Sequence, residues 1–297
     1  MTARSAGFAL AVAAALLPAA AAGQAICSAP HSSPTLAQSG SLNTMPAGAG
    51  WFQMSVYGQR ATEFFNPLGN RQPFLAESRF DTRSVFVTGA VGVVPGLEVW
   101  AQVPVHRLSV DARSGRSTST GVGDVRVAAR LGTRLVGADL PLALRVGAKV
   151  PGSDFPVDAT VLPLTEGQTD VEVSLESGRA VGDGGLYVMG WVGYRWRGAN
   201  LQAARDPGDE RFGHLAVGGS AGDLTWEVGA DALWGAAPRA QGVLLSDEGR
   251  RLLQVLPTLG YRAGPGRLEA TTQIPLWGKN LPAGVGFSLG YRMAWGL

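Results

Sequence analysis

The chain is short of the residues that build most catalytic and metal centres. It has one cysteine, Cys27, and three histidines, His31, His106 and His214. A single thiol excludes an internal disulfide, and three scattered histidines offer no ligand spacing of a known metal site. Asp206, Asp209 and Glu210 could bind a cation in an external loop, but they read rather as solvated loop charges. Lysine is scarce too: of 25 basic residues only Lys149 and Lys279 are lysines, and charged residues make up 16% of the chain. Without Arg4 the bases (25 less one, 24) balance 23 acids, so there is no basic footprint for nucleic acid. No cofactor and no nucleic-acid partner is expected.

Long hydrophobic runs are missing as well. Beyond the N-terminus, glycines, prolines and charges interrupt every apolar stretch, and none reaches the roughly eighteen residues of a membrane-spanning helix. Any passage of the mature chain through a membrane must be made by strands. Catalysis lacks its parts: a lipid-hydrolysing barrel needs a serine activated by a histidine. His31 lies near the N-terminus, and Ser109, three residues from His106, belongs to the opposite face of a strand. The chain is therefore read as not an enzyme.

What is present begins with an export signal. Arg4 is followed by an alanine-rich apolar core over residues 8–17 and by small residues over 18–25, the pattern of a secretory signal peptide. Gly23 and Ala25 satisfy the small-x-small requirement, which places cleavage after residue 25. Cys27 follows directly, but Ile26 is too bulky for the residue expected before a lipidated cysteine. Residues 26–50, rich in Ser, Pro, Ala and Gly without periodicity, read as a flexible periplasmic leader.

From Trp51 onward, segments of about ten to fourteen residues alternate apolar with polar or tiny residues, the period-two signature of strands with two unlike faces. Short turns at Pro95-Gly96, 137–140, 182–184, Gly222-Asp223 and 264–266 alternate with longer polar loops at 61–78, 111–120, 152–168, 198–210, 236–249 and 278–283. Short connections at one end and long ones at the other are the topology of an all-β, antiparallel transmembrane β-barrel. Twelve strands are expected, near 51–60, 79–94, 97–110, 121–135, 141–151, 169–181, 185–197, 211–221, 224–235, 250–263, 267–277 and 284–295. An even count leaves both termini periplasmic. The barrel domain spans 51–297.

A soluble sandwich would alternate too, so the position of the aromatics discriminates. On one strand Trp226 and Trp234 share the apolar face at opposite ends. Eight residues at about 3.3 Å each, tilted by about 40°, separate them by roughly 20 Å along the normal, close to the apolar band between two aromatic girdles. Tyr194, Trp196 and Trp277 are expected on the outer rim with Trp234; Trp51, Tyr261 and Trp295 on the periplasmic rim with Trp226. In the last strand Val285, Phe287, Leu289, Tyr291, Met293, Trp295 and Leu297 share one face. This pattern resembles the C-terminal signal by which barrel-insertion machinery recognises its clients, although it ends in leucine rather than an aromatic. Outer-membrane lipid, that machinery and small apolar molecules are the expected partners.

Several segments occur in an order that resembles a known family: residues 33–36 (SPTL), 95–99 (PGLEV) running to 103–105 (VPV), 121–126 (GVGDVR), 149–152 (KVPG), 164–170 and 193–195 (GYR). The family is that of outer-membrane proteins grouped with the meta-pathway of phenol degradation, and the resemblance covers most of the mature chain. It implies an outer-membrane barrel passing hydrophobic or aromatic compounds. A non-transporting structural or binding barrel is the alternative.

By alternation the lumen receives Glu98, Asp124, Arg126, Arg130, Arg145, Lys149, Asp170, Glu172, Glu176, Arg195, Glu227, Asp231, Arg262, Arg267, Glu269 and Arg292. With both signs present these are expected to pair as a charge ladder along the wall, whereas a selectivity filter would need one sign to dominate. In phase with Arg195, Tyr187, Met189 and Trp191 also point inward, and Trp100 follows Glu98. Trp100, Tyr187, Met189, Trp191 and Arg195 are the candidate site for a small apolar ligand; lumen filling, or a slip of phase at Gly190, is the competing reading. Pro104, Pro257 and Pro275 lie inside strands, where each removes a ladder hydrogen bond. Pairing the tenth and eleventh strands through Gly264-Pro265 brings the last two prolines near each other, giving a bulge or a lateral exit.

Overall fold

The computed structural model describes residues 44–74, 78–113, 115–138, 140–156, 158, 161–182 and 185–296. The signal peptide, most of the stretch read as leader, and Leu297 lie outside them. Among the described residues the architecture is a closed, antiparallel barrel of twelve spanning strands. In chain order these are β1 (Gly50–Ala61), β2 (Arg79–Val94), β3 (Leu97–Ala112), β4 in two halves (Gly115–Val122 and Val125–Gly132), β5 (Leu142–Val150) and β6 (Asp170–Val181). The second half contributes β7 (Leu186–Arg197), β8 (Glu210–Ala221), β9 (Leu224–Gly235), β10 (Arg251–Ala263), β11 (Gly266–Lys279) and β12 (Gly286–Trp295). Each pairs with its chain neighbours, and β1 closes the ring on β12 with Gly50 opposite Trp295. Closure leaves no strand edge, the condition for a sheet in hydrocarbon.

Turn chemistry separates the two ends. Pro95-Gly96 joins β2 to β3 with Gly96 at φ +92°, the second corner of a type II turn, where proline's fixed φ suits the first. Gly264-Pro265 reverses the order, with Gly264 at φ +61°. At the other end the longer connections fold over the mouth and carry two small three-stranded sheets.

The period-two faces are as expected. Outward positions hold exposed valines and leucines along every strand, for example Leu144 and Val146 on β5 and Leu224 and Val228 on β9, while Ala143, Arg145, Lys149 and Glu227 are buried inward. Trp196, Trp234, Tyr261 and Trp295 are exposed at the ends of their strands. On β7 the ladders to β6 and β8 run through Gly190 without a register shift, and Trp191 packs on the same side as Tyr187 and Met189, so the phase does not slip there.

Four expectations need correction. Trp51 does not join the outward aromatics of the periplasmic rim; it is 4% exposed and packs inside with Met45, Ala49, Ala90, Trp100 and Ala128. Residues 44–49, within the stretch read as leader, are folded into the short-turn end: Met45 N–H donates to Glu98 at 3.0 Å, and Gly48 N–H to the Gly92 carbonyl at 2.8 Å. The strand expected from 121 begins at Gly115 and breaks at Gly123 and Asp124. The cause is Pro104, which lies in the facing segment of β3 and has no N–H for the ladder; only Gly123 N–H to the Pro104 carbonyl spans the break, at 3.0 Å. The loop over 152–168 is not simply external, because Pro163, Thr165, Glu166 and Gln168 are buried in the barrel mouth.

The proline pair does disrupt β10–β11. Register shifts between Leu253 and Gln254, where Pro275 faces Gln254, and Leu256 and Pro257 have no partners on β11. Arg71, from the loop above, donates to the Pro275 carbonyl at 2.6 Å.

Candidate functional site: the barrel lumen

β7, packed against β8, carries an aromatic wall that runs from the short-turn end to mid-height. Tyr187 and Met189 on β7 pack with Ala216 on β8, and Trp191 lies against them. The small side chain of Ala216, opposite Met189 in the ladder, leaves room for that packing. Polar partners fix each aromatic. Tyr187 Oη donates to Glu227 at 2.8 Å. The Trp191 indole stacks on the His214 ring with centroids 4.0 Å apart and planes 15° apart, and His214 Nδ1 is 2.6 Å from Asp231, which also accepts from Gln254 at 3.0 Å. A flat, apolar face is thus held by a polar layer behind it.

Trp100 stands apart from this wall, in the cluster built around Met45 and Trp51. Arg145 on β5 spans the gap: its guanidinium carbon is 5.9 Å from the Trp100 ring centroid and 5.7 Å from that of Trp191. Both distances are within cation–π range. Arg145 is also held by Glu176 at 3.0 Å and Ser174 at 3.3 Å. The five residues expected to form one ligand site therefore divide. Tyr187, Met189 and Trp191 come together, Trp100 faces them across Arg145, and Arg195 belongs to the ion network nearer the mouth.

That network takes up most of the expected ladder. Arg130 bridges Glu98 at 3.2 Å and Glu176 at 2.7 Å; Arg126 reaches Glu172 at 3.5 Å; Arg195 joins Glu172 at 2.9 Å and Glu210 at 2.8 Å. Lys149 contacts Asp124 at 3.5 Å, Asp170 at 2.9 Å and Glu166. Across the barrel, Arg292 pairs with Glu269 at 2.8 Å and lies over the Trp51 ring at 5.1 Å. The basic rows of β4 and β5, where Arg126 faces Lys149 and Arg130 faces Arg145, share the carboxylates of β3 and β6 on either side, so these ions are satisfied locally, the cheapest state for charge inside a wall.

Sequence reasoning missed the centre of the network. Glu166, in the 152–168 loop, holds Lys149, Arg197 at 2.7 Å and Arg250 at 2.9 Å, and its backbone carbonyl accepts from Asn200 at 2.9 Å. Burial pushes its carboxyl up, but Arg197, Lys149 and Arg250 overcome that and hold it well below the usual carboxylate range. Burial likewise lowers Arg250, and Glu210 and Glu166 more than reverse it. No period-two signal marks a loop residue, so Glu166 was illegible. Glu210 could have been found: it is in phase with β8, turns inward, and is bonded by Arg195, Arg197 and Arg250 instead of joining Asp206 and Asp209. Asp209 instead accepts from the Tyr194 hydroxyl at 2.8 Å and the Arg197 N–H at 2.9 Å.

One serine–histidine contact also went unseen. Ser84 on β2 is 2.7 Å from His106 Nδ1 on β3, directly across the ladder, with Phe86 edge-on to the imidazole. Among the described residues no acid is bonded to the ring.

No protein-family model matches the chain, and no curated protein matches it. Solved structures do. The chain is similar to the COG4313 outer membrane channel from Pseudomonas putida F1, at 17% identity and a TM-score of 0.73, over 86% of this chain and 98% of that one. Weaker likenesses, at TM-scores of 0.48 and 0.41, are to the translocator domain of the autotransporter NalP from Neisseria meningitidis (11% identity, 85% of this chain, 90% of that one) and to the Ralstonia pickettii toluene transporter TbuX (10% identity, 88% and 93%). At these identities the likeness establishes the fold.

Proposed function

We propose that this barrel lies in the outer membrane, with both termini in the periplasm after signal-peptide export, and acts as a channel or transporter for small hydrophobic or aromatic molecules. The family reading, with outer-membrane proteins grouped with the meta-pathway of phenol degradation, is part of the same proposal. The observation that carries it is the lumen wall of Tyr187, Met189 and Trp191 facing Trp100 across Arg145. An apolar wall with a few fixed polar groups is how proteins hold small apolar ligands. Both ends of the lumen carry protein: residues 44–49 at the short-turn end, and the 163–168 segment with its ion network at the mouth. That arrangement suits selective passage of small molecules better than a wide aqueous pore. The Pseudomonas putida F1 structure, which shares this fold at a TM-score of 0.73, is named as an outer membrane channel, which supports the same reading.

The role is taken as non-enzymatic, with Ser84–His106 as a structural pair: both residues are buried, and Nδ1 of the ring is committed to the serine. The rival reading, a structural or binding barrel, draws on the extent of ion pairing in the lumen. Refolding the mature chain into planar bilayers and recording single-channel current, with and without phenol or toluene, separates the two. Small, steady conductance blocked by the aromatic supports transport. Heat-modifiable insertion without current leaves the barrel and removes the open path.

A further inference from the structure

The outer face of the barrel changes character around its long-loop end. On β7, β9 and β11 the last outward positions are aromatic, Tyr194, Trp196, Trp234 and Trp277, with one arginine each on the strands between them, Arg211 on β8 and Arg251 on β10. On β1 to β4 they are arginines: Arg60, Arg79, Arg83, Arg107 and Arg116. Directly below these arginines the outward face is apolar, with Val85 and Val87 on β2 and Val103 and Val105 on β3 all exposed. The charge therefore begins where the apolar belt ends.

Two aspartates stand among these arginines, and both are committed. Asp81 accepts from Arg60 and Arg79, each at 2.8 Å. Asp111 is paired with Arg79 and, at 3.4 Å, with Arg116. Five arginines less two aspartates leave a surplus of three positive charges. The surplus includes Arg83 and Arg107, which are directly opposite each other in the β2–β3 ladder. Both are exposed, and neither has an acidic partner among the described residues. Like charges directly opposite in a sheet repel, and that arrangement is relieved when an anion binds between them. Their flanks are low: Gly58 is beside Arg83 on β1, with open space where a side chain would stand, and Thr120 is beside Arg107 on β4.

We propose that Arg83 and Arg107, with Arg60 beside them, bind a phosphate of a phosphorylated glycolipid of the lipid A type in the outer leaflet, its acyl chains lying along the exposed valines. Guanidinium forks match phosphate oxygens two at a time. The apolar shelf directly beneath makes a lipid the occupant, because a free phosphate has no use for it. The site rests on the outer-membrane reading, since only there does the long-loop end meet such a leaflet.

The test uses the full mature chain in phosphatidylcholine nanodiscs doped with lipid A, then extraction into mild detergent and native mass spectrometry of the lipid retained. One lipid A per chain is expected. Retention should fall at least tenfold in Arg83→Gln/Arg107→Gln, fall less in Arg83→Lys/Arg107→Lys, fall equally for dephosphorylated lipid A, and stay unchanged in Arg211→Gln, an exposed arginine on β8. Heat-modifiable mobility shows that each variant is folded. Retention that survives the double glutamine change overturns the site. So does equal retention of phosphatidylglycerol at the same mole fraction, or displacement of lipid A by inorganic phosphate alone. Insertion into phosphatidylcholine without lipid A is scored separately. A chain that does not insert there overturns the membrane reading and the site with it, whereas an inserted chain that retains no lipid A overturns the site alone.

Discussion

Glu166 shows how much one loop carboxylate controls. It bonds Lys149, Arg197 and Arg250 at once, and although Asp170 stays with Lys149 and Glu210 with both arginines, removing one member of a buried ion cluster costs up to about 3–5 kcal/mol. Glu166→Gln should lower the urea midpoint of the refolded barrel accordingly, as followed by tryptophan fluorescence. The sign of its pH dependence follows from its depressed pKa. A carboxylate held below its ordinary value of 4.5 contributes stability that is fully present above that value and is lost as pH falls through the lower folded value. The wild-type midpoint should lose this contribution only below pH ~4.5, and the acid-side drop should be smaller in Glu166→Gln. A drop of equal size in the variant would assign acid sensitivity to other groups. Trp191 is the matching test of the aromatic wall: Trp191→Ala removes one stacking face, worth about tenfold in affinity or ~1.4 kcal/mol. The concentration of toluene needed to block current should rise by about that factor. The inward direction of both Trp191 and Lys149 was legible from strand alternation; the charge that Lys149 meets was not, because the loop supplying it has no period.

At the scale of elements, the faces could be read where polar and apolar residues alternate cleanly, as on β5 and β9, and misread where the lumen itself is apolar. Trp51 illustrates this. An indole at a strand end beside a girdle reads as outward, yet the packing of Met45 and Ala49 inside the barrel makes the inward side equally hospitable. The sequence preceding β1 is unpatterned, so nothing in it announces that 44–49 return into the lumen. They are held by the Met45 N–H to Glu98, the Gly48 N–H to Gly92, and the Trp295 indole N–H to the Gly48 carbonyl at 3.0 Å. These few contacts stand against a wall of continuous ladders, so this segment is the element most easily removed. A chain beginning at residue 49 should still insert and remain heat-modifiable, with larger single-channel current than the full mature chain. Unchanged current would show that the constriction lies elsewhere, at the Glu166 mouth or the Trp100–Arg145–Trp191 level.

Across the whole molecule, the strand count and closure were legible because a barrel repeats one simple pattern, and the break at Gly123 and the β10–β11 irregularity were announced by Pro104, Pro257 and Pro275. Electrostatics shows at this scale what the lumen can select. Arg126, Arg130, Arg145, Lys149, Arg195 and Arg292 each have a carboxylate within 3.5 Å, so no ring of one sign forms along the path. Ion selectivity arises where one sign dominates a constriction, and locally paired charges cancel the field that would create it. Current through the barrel should therefore discriminate weakly between potassium and chloride, with a reversal potential near zero across a KCl gradient. Arg145 is the test within that balance, because it alone bridges both indoles. Arg145→Gln leaves Glu176 bonded to Arg130 but lowers positive charge at the aromatic level, so it should shift the reversal potential toward cation preference and weaken aromatic block together. A shift in selectivity with block unchanged would separate the ion path from the aromatic wall, and the lumen would then hold two independent routes in place of one.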